Sequence, residues 1–280
     1  MTSATMTGRP APATSTPSGL FRAAWDVEWL LLRRSVVARI ATPLLVLVVP
    51  LASAGLVALS RSPRLSGAAA PKLAEYAAGD LATTMLTACA QVLSVAVLAA
   101  AAFVLAWAFG REFADRTAGG LFGLAVSRST TALARCLVVL AWALACVVAA
   151  VGVAVLVATV ASSTGTAAAD AEQVSAEATR ALGAGVLAAG LAFPFAWVAT
   201  ISRSSLGTIG ALIGVVAVTQ VVVVLGGGTW FPYAVPSLWT GMGGAAAAAA
   251  IKLPQLVMTA AVAPAAILAV TGAWHRLTDV

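Results

Sequence analysis

Residues 81–110 read LATTMLTACAQVLSVAVLAAAAFVLAWAFG, 30 consecutive residues without a charge, bounded by Asp80 and Arg111. A helix rises about 1.5 Å per residue, so about 20 apolar residues cross the hydrocarbon core of a bilayer. This run is therefore long enough to span and to project beyond the bilayer on one side. The rest of the chain has the same character. Of its 280 residues 61% are hydrophobic and only 9% charged, whereas soluble domains carry roughly 25% charged residues. Such a composition excludes a water-soluble domain and makes the bilayer the solvent.

Charge-free intervals define the other spans. Arg39 to Arg61 encloses one, with Pro43 and Pro50 expected to kink or loosen it. Arg135 to Asp170 encloses a third, running into the polar stretch SSTGTAAADAEQ, and Arg180 to Arg203 a fourth, with Pro194. Residues 206–225 make a fifth, and Lys252 to His275 encloses the last, with Pro264. The expected spans are 40–60, 81–109, 132–160, 181–202, 206–226 and 253–274. Between the last two, residues 227–250 hold glycines, prolines and aromatics that break a straight helix. They predict an external or re-entrant helix pair, with Trp230, Phe231, Tyr233 and Trp239 at the membrane–water interface as an external lid. A seventh span through Ala245–Ala250 is the alternative.

With six spans and both termini in the cytosol, eleven arginines fall inside and five Lys or Arg residues outside, the expected bias. Residues 1–19, rich in Thr, Ser, Pro and Ala, have no apolar signal-peptide core and read as a disordered cytosolic tail. Residues 20–35 predict an amphipathic interfacial helix. Phe21, Trp25, Trp29, Leu31 and Leu32 form its apolar face, opposite Arg22, Asp26, Arg33 and Arg34. Its alternative is a plain beginning of the first span. Glu28 falls on the apolar face, where it requires an arginine or a protein partner. The six-helix domain follows from residue 36.

The chain from 107 to 135 reads WAFGREFADRTAGGLFGLAVSRSTTALAR. Gly110 is expected to end the second span, a short charged helix over 110–122 to follow, and Ser129 or Thr130 to cap the third span. The run Gly110-Arg111-Glu112-Phe113, with Arg116-Thr117, Leu121 and Val126-Ser127-Arg128, resembles the cytosolic motif of the permease subunits of type-2 ABC exporters. Ala125 departs from it, standing where that family often has proline. The resemblance implies that Arg111, Glu112, Phe113, Asp115, Arg116 and Thr117 form a coupling helix inserted into a separate ATPase subunit. Glu112 is then expected to contact a basic or amide group of the ATPase, Phe113 to fill an apolar notch, and Arg111 to contribute less. The resemblance also implies a pair of permease subunits, six spans each, in a bacterial cell membrane.

No phosphate-binding loop of the form G-x-x-x-x-G-K-[ST] occurs in the sequence, so ATP and Mg are expected on the partner rather than on this chain. Charge-free intervals argue against an ion-coupled carrier and against an intramembrane hydrolase. Cys89, Cys136, Cys146 and His275 lack metal-ligand spacing, so no catalytic, cofactor or metal site is expected. Nothing points to nucleic acid; membrane lipid is the remaining partner. Met85, Gln91 and Gln220 are polarisable or polar groups within spans, more readily packed than cargo-binding. The sequence predicts an all-α membrane permease exporting a hydrophobic small molecule, lipid or antibiotic-like cargo. A non-transporting scaffold or a secondary carrier is the alternative.

Overall fold

The computed structural model describes residues 16–63, 73–114, 126–163 and 170–276. No strand occurs among them, and six helical segments are long and apolar enough to cross a membrane. The chain is an all-α, multi-pass membrane protein.

Helix α1 (Pro17–Arg34) starts earlier than composition suggested, because Thr16 caps it and accepts from the Gly19 amide at 3.3 Å, with Pro17 at its first position. Its inward stripe is Ala24, Glu28 and Leu32, with Phe21, Trp25 and Trp29 half-buried beside it. Leu31, expected on that face, is exposed. At Ser35 the backbone becomes extended and α1 ends. The Ser35 hydroxyl donates back to the Leu32 carbonyl at 2.8 Å and accepts from the Ala38 amide at 3.1 Å, capping α2 (Val36–Pro43). α1 is thus a helix separate from the first span. Pro43, which lacks an amide hydrogen, is followed by a π-helical turn over Leu44–Val48, and α3 (Val49–Ser60) completes the span.

α4 (Leu81–Ala114) is the axis of the bundle, touching α3 and the four helices that follow it. Its 34 residues measure about 50 Å, well beyond a hydrocarbon core of about 30 Å. Gly110 does not end it. A β-carbon there would meet the Ser205 hydroxyl and lie 3.1 Å from the Ser205 amide nitrogen, so this glycine permits a close helix crossing. Ser205 uses the proximity to donate to the Ala106 carbonyl at 3.0 Å.

α5 (Arg128–Ser163) begins at Ser127, whose hydroxyl accepts from the Thr130 amide at 3.2 Å; the cap is neither Ser129 nor Thr130. The fourth span begins ten residues before its charge-free interval, as α6 (Ala171–Gly190) capped by Asp170. It turns at residues 191–193 and continues as α7 (Pro194–Ser202). Arg203, at a positive φ of 51°, makes the tight turn into α8 (Ser205–Val224). Between α8 and the last span lie α9 (Val235–Trp239) and α10 (Ala245–Ala250), separated by Gly241, Gly243 and Gly244 at positive φ. α10 has 6 residues, about 9 Å of helix, far too short for a seventh span. α11 (Leu253–His275) closes the bundle against α5 and α7. α4 and α6–α7 are mostly buried, whereas α8 and α11 expose most of their apolar surface.

Candidate functional site

Arg135, on α5, is 2% exposed. As the boundary of a charge-free interval it was expected at the water; instead it lies among apolar helices. A buried guanidinium must find anions and acceptors or impose a large desolvation cost. Arg135 finds both. Its Nη1 donates to the Ala108 carbonyl at 2.7 Å and to Glu112 Oε2 at 3.0 Å, and its Nη2 donates to the other Glu112 oxygen. The Arg135–Glu112 pair is therefore a two-pronged fork, the strong geometry for guanidinium and carboxylate. Nη2 also donates to Glu28 Oε1 at 2.6 Å.

Glu28 explains itself in the same cluster. Its second oxygen accepts from Arg111 Nη2 at 3.1 Å, so this carboxylate on the apolar face of α1 bridges two arginines from α4 and α5. Two carboxylates and two guanidiniums balance in formal charge. Aromatic rings cover what hydrogen bonds leave open. The Arg135 guanidinium stands 5.1 Å from the Trp274 ring and 5.2 Å from the Phe109 ring, and its Nε has no hydrogen-bond partner. Phe109 and Trp274 meet edge to face at 5.4 Å. Trp274 is fixed in turn by its Nε1 donating to the Thr200 hydroxyl at 3.0 Å. Arg111 lies over Trp107 at 4.7 Å.

Phe113, one residue further on, has the Arg203 guanidinium 5.7 Å from its ring centre. Successive helical residues point about 100° apart. So Arg111 reaches α1, Glu112 reaches α5, and Phe113 reaches the α7–α8 turn. The end of α4 is tied to three other parts of the bundle by three consecutive side chains. Asp115, Arg116 and Thr117, with the remainder of the expected 110–122 helix, lie outside the described residues. Glu112, expected to reach outward, is turned inward. Both carboxylates of the cluster are held by guanidinium groups, which do not exchange protons near neutrality. Its chemistry is cohesion between helices.

At the opposite end of α4, α9 is seated on α4 and α6, with Ala234, Val235 and Pro236 buried. Trp239 lies against Gly183, where a β-carbon would come within 2.8 Å of its ring. Tyr233 packs on Phe195 and Phe231, whereas Trp230 is exposed. Burial pushes the Tyr233 phenol up to about 12. Gln91 is buried, its amide donating to the Thr240 carbonyl at 3.3 Å. Met85 is a core residue, and Gln220 is exposed on α8.

Glu28 was visible in the sequence as a charge in the wrong place; Arg135 was not, because a single arginine at the edge of an apolar run looks like a helix end. The signal lay in combining them: two opposite charges, each on an apolar face, each needing the other. No protein family and no curated protein matches this chain. Among the described residues no group of His, Cys, Asp or Glu is placed to hold a metal ion.

Proposed function

We propose that this chain is the membrane subunit of an ATP-driven exporter of the type-2 ABC kind, hydrolysis taking place on a separate subunit that binds ATP and Mg. The observation that supports this most is the triple attachment at the end of α4. The charged segment beginning at Arg111 leaves a helix whose last turn is bonded to α1, α5 and the α7–α8 turn. A push on that segment reaches three parts of the bundle at once, as a transmission element requires. Because Glu112 is engaged by Arg135, its role in this reading is transmission. Phe113, engaged by Arg203, shares that role, and docking falls to the residues that follow it, Asp115, Arg116 and Thr117.

The reading carries the rest of the arrangement with it. Both termini lie in the cytosol of a bacterium, α1 rests on the inner face of the plasma membrane, and residues 227–250 lie outside, with α9 as a lid. A second permease subunit, of the same or a related chain, covers α8. Two features of α8 support that pairing: its exposed apolar surface, and Gly210 and Gly214, four residues apart, above which a β-carbon would meet nothing. The cargo is a hydrophobic small molecule, a lipid or an antibiotic-like molecule. A scaffold without transport is the second reading, favoured by the near-complete satisfaction of the ion cluster within one chain.

The test is purification of the tagged chain from its own membranes. A stoichiometric subunit with a phosphate-binding loop is expected, and Phe113→Ala is expected to strip it or to abolish stimulated hydrolysis and efflux while leaving expression and insertion intact. A Phe113→Ala protein with full, coupled ATPase activity overturns the assignment.

A further inference from the structure

A cavity of about 810 Å³ opens at the end of the bundle opposite Arg135, between α4, α6, the turn at Ala74–Tyr76 and the α9–α10 segment. That volume suits a small organic ligand. What kind of ligand follows from which hydrogen-bonding groups on its walls are already used.

On α4, three threonines spend their hydroxyl hydrogens on the backbone. Thr83 and Thr84 donate to the Asp80 carbonyl at 3.3 and 2.6 Å, and Thr87 donates to the Thr83 carbonyl at 2.9 Å. Tyr76 spends its hydrogen on Gln91 Oε1. Burial and the neighbouring Glu75 push the Tyr76 phenol up to about 12, so it stays a neutral donor to Gln91. Each of these four oxygens keeps lone pairs and has no second hydrogen to offer. Arg61 reaches Thr84 from beside the cavity and is otherwise spent on the carbonyls of Tyr76, Ala78, Gly79 and Asp80.

The carboxylates add to the same side of the balance. Glu177 is half-buried in the wall, with one oxygen 3.3 Å from the Thr87 hydroxyl and the other paired with Arg180 at 3.1 Å. Glu75 also lines the cavity, so its formal charges are two negative and one positive. Arg180 is the more exposed member of its pair, 42% against 18% for Glu177, so the carboxylate is the better-shielded charge. The walls are rich in acceptors and net negative, while Gln173, Arg180 and the Trp239 indole supply their donors. The Trp239 ring, held against Gly183, supplies an aromatic surface beside them.

We propose that this cavity binds a small ammonium-bearing organic cation through N–H donation to Glu177 and the threonine and tyrosine oxygens, with Trp239 beside it for cation–π contact. An anion brings the wrong charge, and a neutral polyol lacks the positive charge that Glu75 and Glu177 favour. The proposal rests on the exporter reading only in calling the cavity outward-facing and its ligand a candidate cargo; binding itself needs no ATPase.

The test uses the full chain, purified alone into discs of zwitterionic lipid and titrated calorimetrically with 1,4-diaminobutane and with its neutral bis-acetylated counterpart. Saturable binding of the diamine is expected, with none of the acetylated form. Glu177→Gln, which keeps the side-chain volume and removes the charge, is expected to weaken diamine binding about tenfold or more. Glu172→Gln, an exposed charge on the same helix outside the cavity wall, is expected to leave it unchanged. Thermal midpoints of both variants show whether each is folded. Absence of saturable diamine binding, equal binding of the acetylated form, or unchanged binding in a folded Glu177→Gln protein overturns the proposal. Diamine binding by a chain that never co-purifies with an ATPase keeps the site and removes the exporter reading.

Discussion

Arg135 concentrates more consequence than any other residue of the described chain. It holds Glu28 and Glu112 with one guanidinium while Trp274 and Phe109 cover its faces. Removing it strands two carboxylates in a buried position, and breaking a buried charged pair costs roughly 3–5 kcal/mol. Arg135→Ala is therefore expected to lower the thermal midpoint markedly. Arg135→Lys is expected to recover only part, because an ammonium has no fork. Glu28→Met, Glu112→Met, Arg111→Met and Arg135→Met combined should recover most of it, since an apolar replacement of a whole buried ion group is often neutral. Cys89, Cys136 and Cys146 are all buried, so their reaction with a thiol dye on heating reports unfolding directly. An unchanged midpoint in Arg135→Ala refutes the claim that the cluster holds the helices together. Sequence exposed half of this site. A carboxylate on an aromatic face demands a partner; which arginine supplies it depends on the crossing of α1 and α5, and a linear pattern contains no crossing.

At the level of elements, charge served well for finding apolar cores and poorly for finding helix ends. A charge shows where hydrocarbon stops, and a helix ends only where its backbone bonding is interrupted. α4 continues through Arg111 and Glu112 to Ala114, and α6 already runs through Glu172, Glu177 and Arg180. Breaks occur where the backbone chemistry demands them, at Ser35, at Pro194 and at Arg203. Gly110 was read as a terminator because glycine so often follows a helix; its role is to let α4 and the start of α8 touch. Gly110→Ala is expected to destabilise by roughly 1–3 kcal/mol through overpacking. Adding Ser205→Gly should return part of that loss, although it removes the bond to the Ala106 carbonyl. Strictly additive single and double variants, measured by thermal unfolding, contradict a direct contact between these positions.

For the molecule as a whole, the number of apolar helices was legible because every uncharged interval enclosing a span is long enough to cross the bilayer, and the ambiguous alanine run resolves into a helix of 6 residues. The orientation remains an expectation from the arginine bias, and it makes a direct prediction. In a chain whose three cysteines are replaced by alanine, single cysteines at Ser18 and Arg276 should resist an impermeant thiol reagent in intact cells. Those at Ser175 and Met242, exposed at the other end of the bundle, should react. Reaction at 276 reverses the assignment. The ion cluster also bears on how the protein is made. Glu28 and Arg135 are separated by 107 residues, so the ribosome delivers the acid long before its base, and Trp274 later still. A nascent chain holds Glu28 at the membrane surface with no counter-ion from α5. Even after α5 inserts, one side of the guanidinium stays open until α11 arrives. Chains that stall before α11 therefore carry an incompletely covered arginine between their helices, a mark by which membrane quality control can distinguish unfinished copies from finished ones.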